Sequence, residues 1–121
     1  MTAPAPRSFG PITRAQLRAF AEASGDRNPL HLDPAFAQAA GYKDVLAHGM
    51  LAMGALTRLV TDHAAASGLT LKEINCRFAD PMPLGCTLTL KAEPAEDHLT
   101  LTATTEAGSV VLRGRARLGA P

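Results

Sequence analysis

Several residue types are scarce in this sequence, and each shortage excludes a class of protein. Tryptophan is absent and aromatic residues make up only 4% of the chain, so aliphatic side chains must build most of the core. The two cysteines, Cys76 and Cys86, form no CxxC motif and have no histidines at metal-ligand spacing. The sequence therefore indicates neither a zinc-stabilised nor a disulfide-rich domain, and we expect both thiols to be free and buried.

Charge excess and long apolar runs are also lacking. The net charge is +1, which gives no field suited to a nucleic-acid backbone. The most apolar stretch, residues 45–60, is interrupted by His48 and Arg58 and is shorter than the roughly 20 residues that a membrane span needs. Residues 1–10 contain no apolar segment typical of an export signal. We expect a cytoplasmic protein that binds neither nucleic acid nor membranes.

The chain length fits one domain, residues 1–121, with a loose terminus predicted for the Pro/Ala-rich residues 1–6. Capping residues and apolar periodicity predict three helices, over residues 14–23, 34–41 and 50–66. The third is apolar on nearly every side and should be buried. Alternating residues predict strands at 7–10, 71–79, 88–91, 99–103 and 110–115. Because the helices precede strands joined by short connections, we predict an α+β fold with an antiparallel sheet around the long helix.

Three arginines alternate along the last predicted strand and just beyond its end, at Arg113, Arg115 and Arg117. This spacing places them on one face of the strand. Two interpretations stay open for that face. It is either solvated, or it contacts a phosphorylated carrier such as coenzyme A.

A loop between the first two helices contains Asp26, Asn28 and His31. A carboxylate and an imidazole in one short loop can both face a cleft and share proton transfer, as addition of water to a double bond requires. The alternative is a stiff turn, because Asp, Asn and Pro are common turn residues.

Further along, Gly49 stands where the long helix begins. Its amide could receive a carbonyl oxygen there, or the glycine could serve only as a helix-entry residue.

These segments resemble the MaoC-like dehydratase family, which includes R-specific enoyl-CoA hydratases. The similarity is carried by ASGDRNPLHLDPAFAQAA (23–40) together with LAHGM (46–50), and it extends loosely through RFADPMPLG (77–85). It implies the hot-dog fold, in which an antiparallel sheet curls round a long central helix. His48 belongs to the HGM motif, but we assign it no proton role from the sequence.

The resemblance also implies roles for particular residues. Asp26 and His31 would activate one water, Asn28 would help to hold substrate and water, and the Gly49 amide would receive the thioester oxygen. Thr57 on the central helix would support hydrogen bonds in the site. The substrate would be an acyl thioester of coenzyme A or acyl carrier protein, with no metal or redox cofactor, and the protein would be a homodimer. A hot-dog thioesterase and the catalytic subunit of a heterodimeric dehydratase are the alternatives.

Overall fold

The computed structural model describes residues 2–121, and its helices begin at the predicted capping residues. Thr13 Oγ1 accepts a hydrogen bond from the Gln16 amide at 3.1 Å, and the Gln16 side chain reaches back to the Thr13 amide, completing a capping box. Asp33 Oδ1 accepts from the Ala35 amide at 3.0 Å and begins the second helix. The helices are α1 (Arg14–Ser24), α2 (Pro34–Ala39) and α3 (Gly49–Ala66), with a 3-10 turn at Pro29–His31.

Five strands form one antiparallel sheet in the order β1-β3-β4-β5-β2. They are β1 (Arg7–Phe9), β2 (Thr70–Phe78), β3 (Leu88–Pro94), β4 (Leu99–Thr105) and β5 (Val110–Gly119). β5 continues four residues beyond its predicted end because residues 116–119 pair with the start of β2, a long-range contact that local alternation does not reveal. The sheet curls round α3, which contacts β2, β3, β4 and β5. The predicted α+β hot-dog architecture is confirmed.

The core is aliphatic, as the scarcity of aromatic residues predicts. Leu56 of α3 is fully buried and belongs to one core cluster with leucines of the sheet such as Leu88, Leu101 and Leu112. Burial of such side chains supplies the main favourable free energy of folding. Among the largest fully buried side chains, the one polar member within residues 2–121 is His48. A buried imidazole in an aliphatic core needs hydrogen-bond partners, which directs attention to its surroundings.

The chain has two free thiols. Both are free, as predicted, and Cys86 is buried, but Cys76 lies on the edge strand β2 and is only half-buried. Near the start of the chain, the Thr2 carbonyl lies 2.9 Å from His63 Nε2, and the looseness expected for residues 1–6 stays a prediction. Met1 lies outside the described residues. Within residues 2–121, no helix is both long enough and apolar enough to cross a membrane.

Candidate active site

The loop between α1 and α2 is held in shape by its own polar side chains. Asp26 Oδ1 accepts a hydrogen bond from the Asn28 amide at 3.3 Å, and Asn28 Oδ1 accepts from the Leu30 amide at 3.0 Å. The Ser24 hydroxyl accepts from the Asp26 amide at 3.1 Å. The loop is therefore a stiff turn of the kind that Asp and Asn favour. A stiff loop also holds the side chains of Asp26 and His31 in fixed directions. The interpretation as a stiff turn and the interpretation as a catalytic loop are therefore compatible.

His31 and Asp26 face one another across this loop. His31 Nδ1 lies 2.8 Å from the Leu46 carbonyl oxygen. Because a carbonyl can only accept, Nδ1 carries the proton and neutral His31 has its lone pair on Nε2. That nitrogen lies 3.8 Å from Asp26 Oδ2, too far for a direct hydrogen bond. A water molecule could instead contact both atoms, and Asp26 is half-exposed to solvent.

A cavity of about 400 Å³ opens beside these two residues. Leu46, Ala52, Met82 and Val111 contribute buried apolar side chains to its wall. Met50 and Phe78, both about half-exposed, line the part that faces solvent. The cavity thus combines an apolar interior with three polar side chains, those of Asp26, His31 and Asp80, the usual composition of a small-molecule site.

Gly49 lines the same cavity as the first residue of α3. First-turn amides of an α-helix have no intrahelical acceptor and carry partial positive charge, and His48 provides no side-chain cap here. A Cβ atom on Gly49 would lie 2.8 Å from Cδ1 of Phe78. Glycine therefore lets the Phe78 ring pack directly on the start of the helix.

The structure brings some of the predicted site residues together and not others. Asp26, His31 and Gly49 line the cavity, whereas Asn28 braces the loop from outside the lining. Thr57 does not line the cavity either. Its hydroxyl donates to the Met53 carbonyl at 2.7 Å, the bond that a helical threonine commonly makes to its own backbone. The hydrogen bond of Thr57 therefore does not support the site in the way that was predicted, and this role stays a prediction.

His48 is the residue that the sequence analysis named without assigning it a role. It is 1% exposed, and its Nε2 lies 3.0 Å from the Asp26 carbonyl oxygen. Its ring stacks on His31 with centroids 3.9 Å apart and planes 26° apart. A histidine directly before the helix-entry glycine was the available signal. The stack itself joins two segments distant in sequence and could not be foreseen.

Asp26, His31 and His48 each offer one ligand atom within 4.8 Å of the others, close enough to be compared with a metal site. A zinc ion would need both imidazole nitrogens at about 2.0–2.1 Å with lone pairs converging on it. Imidazole lone pairs lie in the ring plane, and in these two stacked rings the planes run nearly parallel. The arrangement suits stacking better than chelation, and the absence of a metal stays a prediction.

The arginines of β5 lie on the outer face of the sheet, as their alternation predicts. Arg117 pairs with Glu73 at 3.1 Å, and Arg113 and Arg115 are opposite Arg77 and Asn75 of β2. None of the three β5 arginines lines the cavity. Their position fits a solvated strand face.

Comparison with known proteins identifies the family of this chain. The family model described as MaoC like domain matches residues 2–111. The chain is 32% identical over 114 residues to the (R)-specific enoyl-CoA hydratase of Aeromonas caviae, covering 88% of this chain and 85% of that protein. It is 29% identical over 116 residues to the (R)-specific enoyl-CoA hydratase of Rhodospirillum rubrum, covering 91% and 81%.

Solved structures extend the likeness to the whole fold. The (R)-hydratase from A. caviae involved in PHA biosynthesis superimposes with a TM-score of 0.83 at 26% identity, covering 100% of this chain and 98% of that one. The sequence matches and the structural match both cover nearly the whole chain. The resemblance drawn from the loop and HGM motifs is confirmed. This protein belongs to the MaoC-like dehydratase family.

Proposed function

We propose that this protein adds water to trans-2-enoyl thioesters to give (R)-3-hydroxyacyl thioesters, or catalyses the reverse dehydration. The observation that carries the proposal is the pairing of His31 Nε2 with Asp26 Oδ2, 3.8 Å apart, at an apolar cavity that includes Gly49. Relatives named as (R)-specific enoyl-CoA hydratases match most of the chain, which supports the same reaction.

The reaction follows from the proton states of the two groups. A water held between them donates one hydrogen bond to Asp26 and one to the lone pair of His31 Nε2. Its oxygen forms a bond to the β-carbon as one of the two residues takes the proton. The electron pair of the double bond moves toward the thioester oxygen, and a proton returns to the α-carbon. The residue that took the proton from water releases one to the α-carbon, so H and OH are both accounted for by one water and both side chains end in their starting state.

The start of α3 supplies partial positive charge for the thioester oxygen. The thioester oxygen gains negative charge as the enolate develops, and the first-turn amides at Gly49 would meet it at the positive end of the helix. Loss of one such donor typically costs roughly 10²–10³ in kcat. The apolar wall formed by Leu46, Ala52, Met82 and Val111 would take the acyl chain. The chemistry needs no metal or redox group, and coenzyme A or acyl carrier protein enters as part of the substrate.

The sheet edge supports a homodimer as part of this proposal. Within the described residues 2–121, β2 is paired on one side only, with β5, so its nine residues form a long edge at the end of the sheet. Unpaired edge amides and carbonyls readily accept a second strand. Antiparallel pairing of two β2 strands would give a continuous sheet across two copies. Light scattering coupled to size exclusion should give the mass of a dimer, whereas a monomer would favour an orphan subunit of a heterodimer.

Crotonyl-CoA provides the direct test of activity. Incubation with the protein should abolish the absorbance of the conjugated thioester without releasing free thiol, and the product should be the (R)-3-hydroxy isomer. A panel of longer enoyl chains on coenzyme A and on acyl carrier protein then defines the carrier and chain length. Release of thiol from saturated acyl-CoA would instead identify a thioesterase. No change with any enoyl thioester would refute the proposal.

A further inference from the structure

The side chain of His48 contacts both residues that carry the proposed chemistry. Its Nε2 lies 3.0 Å from the Asp26 carbonyl, which can only accept, so this nitrogen carries the proton. The other nitrogen, Nδ1, is buried and has no hydrogen-bond partner within residues 2–121. A proton on Nδ1 would have no acceptor, so the Nε2–H tautomer is the one that fits. His48 therefore acts as a fixed donor to the backbone of the Asp26 loop.

The ring of His48 also controls the orientation of His31. The two imidazoles stack at 3.9 Å, and Phe20 packs against His48 at 4.8 Å with a tilt of 54°. Such aromatic contacts favour defined ring geometries. His31 is thereby fixed by its bond to the Leu46 carbonyl and by the plane of the stack. Together these two contacts determine where His31 Nε2 points.

We propose that His48 is a positioning residue that sets the separation between His31 Nε2 and the Asp26 carboxylate. The inference rests on the proposed hydration, because a water shared by two groups is activated only while both stay within hydrogen-bond reach. His48 does not line the cavity. Its effect is therefore on the chemical step and not on substrate binding.

Two conservative variants separate the two contacts of His48. His48→Phe keeps an aromatic ring for the stack and lacks the donor, whereas His48→Gln keeps an amide donor of similar reach and lacks the ring. His48→Ala loses both. A displacement of about 1 Å in a reacting pair can cost about 10²-fold in rate. We expect a loss of about 10²-fold in kcat for His48→Ala and of about 10-fold for each conservative variant.

A matched control distinguishes positioning from general stability. Thr105 is another buried polar residue; its Oγ1 accepts from the Ser109 amide at 3.2 Å, and it does not itself line the cavity. Thr105→Val should lower the unfolding free energy and leave kcat unchanged. All variants are assayed at a temperature at which their unfolding curves show them fully folded. KM of the His48 variants should stay within about 2-fold of wild type, because the contacts that bind the substrate in its ground state are not altered.

The outcomes separate this inference from the proposed function. Wild-type kcat in all three His48 variants would overturn the inference while leaving the hydratase proposal intact. A rise in KM with unchanged kcat would also overturn it, since it would place His48 in substrate binding. If the wild-type protein hydrates no enoyl thioester, crystal structures of His48→Ala and the parent still test positioning. The distance from His31 Nε2 to Asp26 Oδ2 should then differ by about 1 Å, and an unchanged distance would refute the inference.

Discussion

Replacing Gly49 by alanine tests how the start of α3 is built. Ideal placement of the new Cβ puts it 2.8 Å from Cδ1 and 3.0 Å from Cε1 of Phe78. Non-bonded carbons rest at about 3.5–4.0 Å, so the ring must retreat by about 1 Å. The Phe78 side chain is half-exposed and can move, so most of the cost should appear in activity and not in stability.

The magnitudes follow from the two effects of the added methyl. Overpacking costs about 1–3 kcal/mol, and the helix propensity of alanine over glycine offsets about 1 kcal/mol of that. The unfolding free energy of Gly49→Ala should therefore fall by no more than about 2 kcal/mol. Gly49 and Phe78 both line the cavity, so a shift of about 1 Å there should lower kcat/KM by about 10²-fold.

Gly54 is the matched control, because it lies in the same helix and a Cβ there meets nothing within 4 Å. Gly54→Ala should raise the unfolding free energy by about 0.5–1 kcal/mol and keep wild-type hydration of crotonyl-CoA. Trimming the ring in Gly49→Ala/Phe78→Leu should recover part of the activity, which a double-mutant cycle measures as coupling. Wild-type kcat/KM in Gly49→Ala, or an equal loss in Gly54→Ala, would refute the reasoning.

Three further predictions concern stability and reactivity. Leu56 is fully buried, so Leu56→Ala should lower the unfolding free energy in urea by about 2–5 kcal/mol, and a change below about 1 kcal/mol would contradict the assigned core. Burial raises the pKa of the Cys76 and Cys86 thiols, so iodoacetamide should alkylate the folded protein more slowly than the urea-unfolded protein, and equal rates would contradict this. The hydrogen bond from Arg14 lowers the pKa of Asp44, so the pair stabilises the fold above the unfolded pKa of about 4 and loses this effect as pH falls through the folded value. Arg14→Gln should therefore destabilise the protein at about pH 7 and not at about pH 2, and a pH-independent difference would argue against the pair.

Local features of the sequence predicted the helices and the reactive loop. The Thr13 capping box and the Asp33 cap fix helix starts through contacts within four residues. Asp26 and His31 belong to one short loop, so their convergence could be predicted before the fold was known. These predictions succeed because the interacting residues are close to one another in the sequence.

Contacts between distant segments could not be predicted in the same way. The bond from His31 to Leu46, the stack on His48 and the packing of Phe78 on Gly49 each join separate elements. Thr57 is a second case in which the sequence was not sufficient. A place on the central helix does not by itself direct a hydroxyl into the cavity, and the hydroxyl bonds the preceding turn of its own helix instead.

The central claim is that Asp26 and His31 together activate one water. The most direct measurement is the initial rate of crotonyl-CoA hydration by wild type, Asp26→Asn, His31→Ala and the double variant, all shown to be folded. Each single variant should lose at least about 10²-fold. The double variant should be little slower than the slower single one, because residues that act as a unit are not additive. A wild-type rate in either single variant would contradict the account.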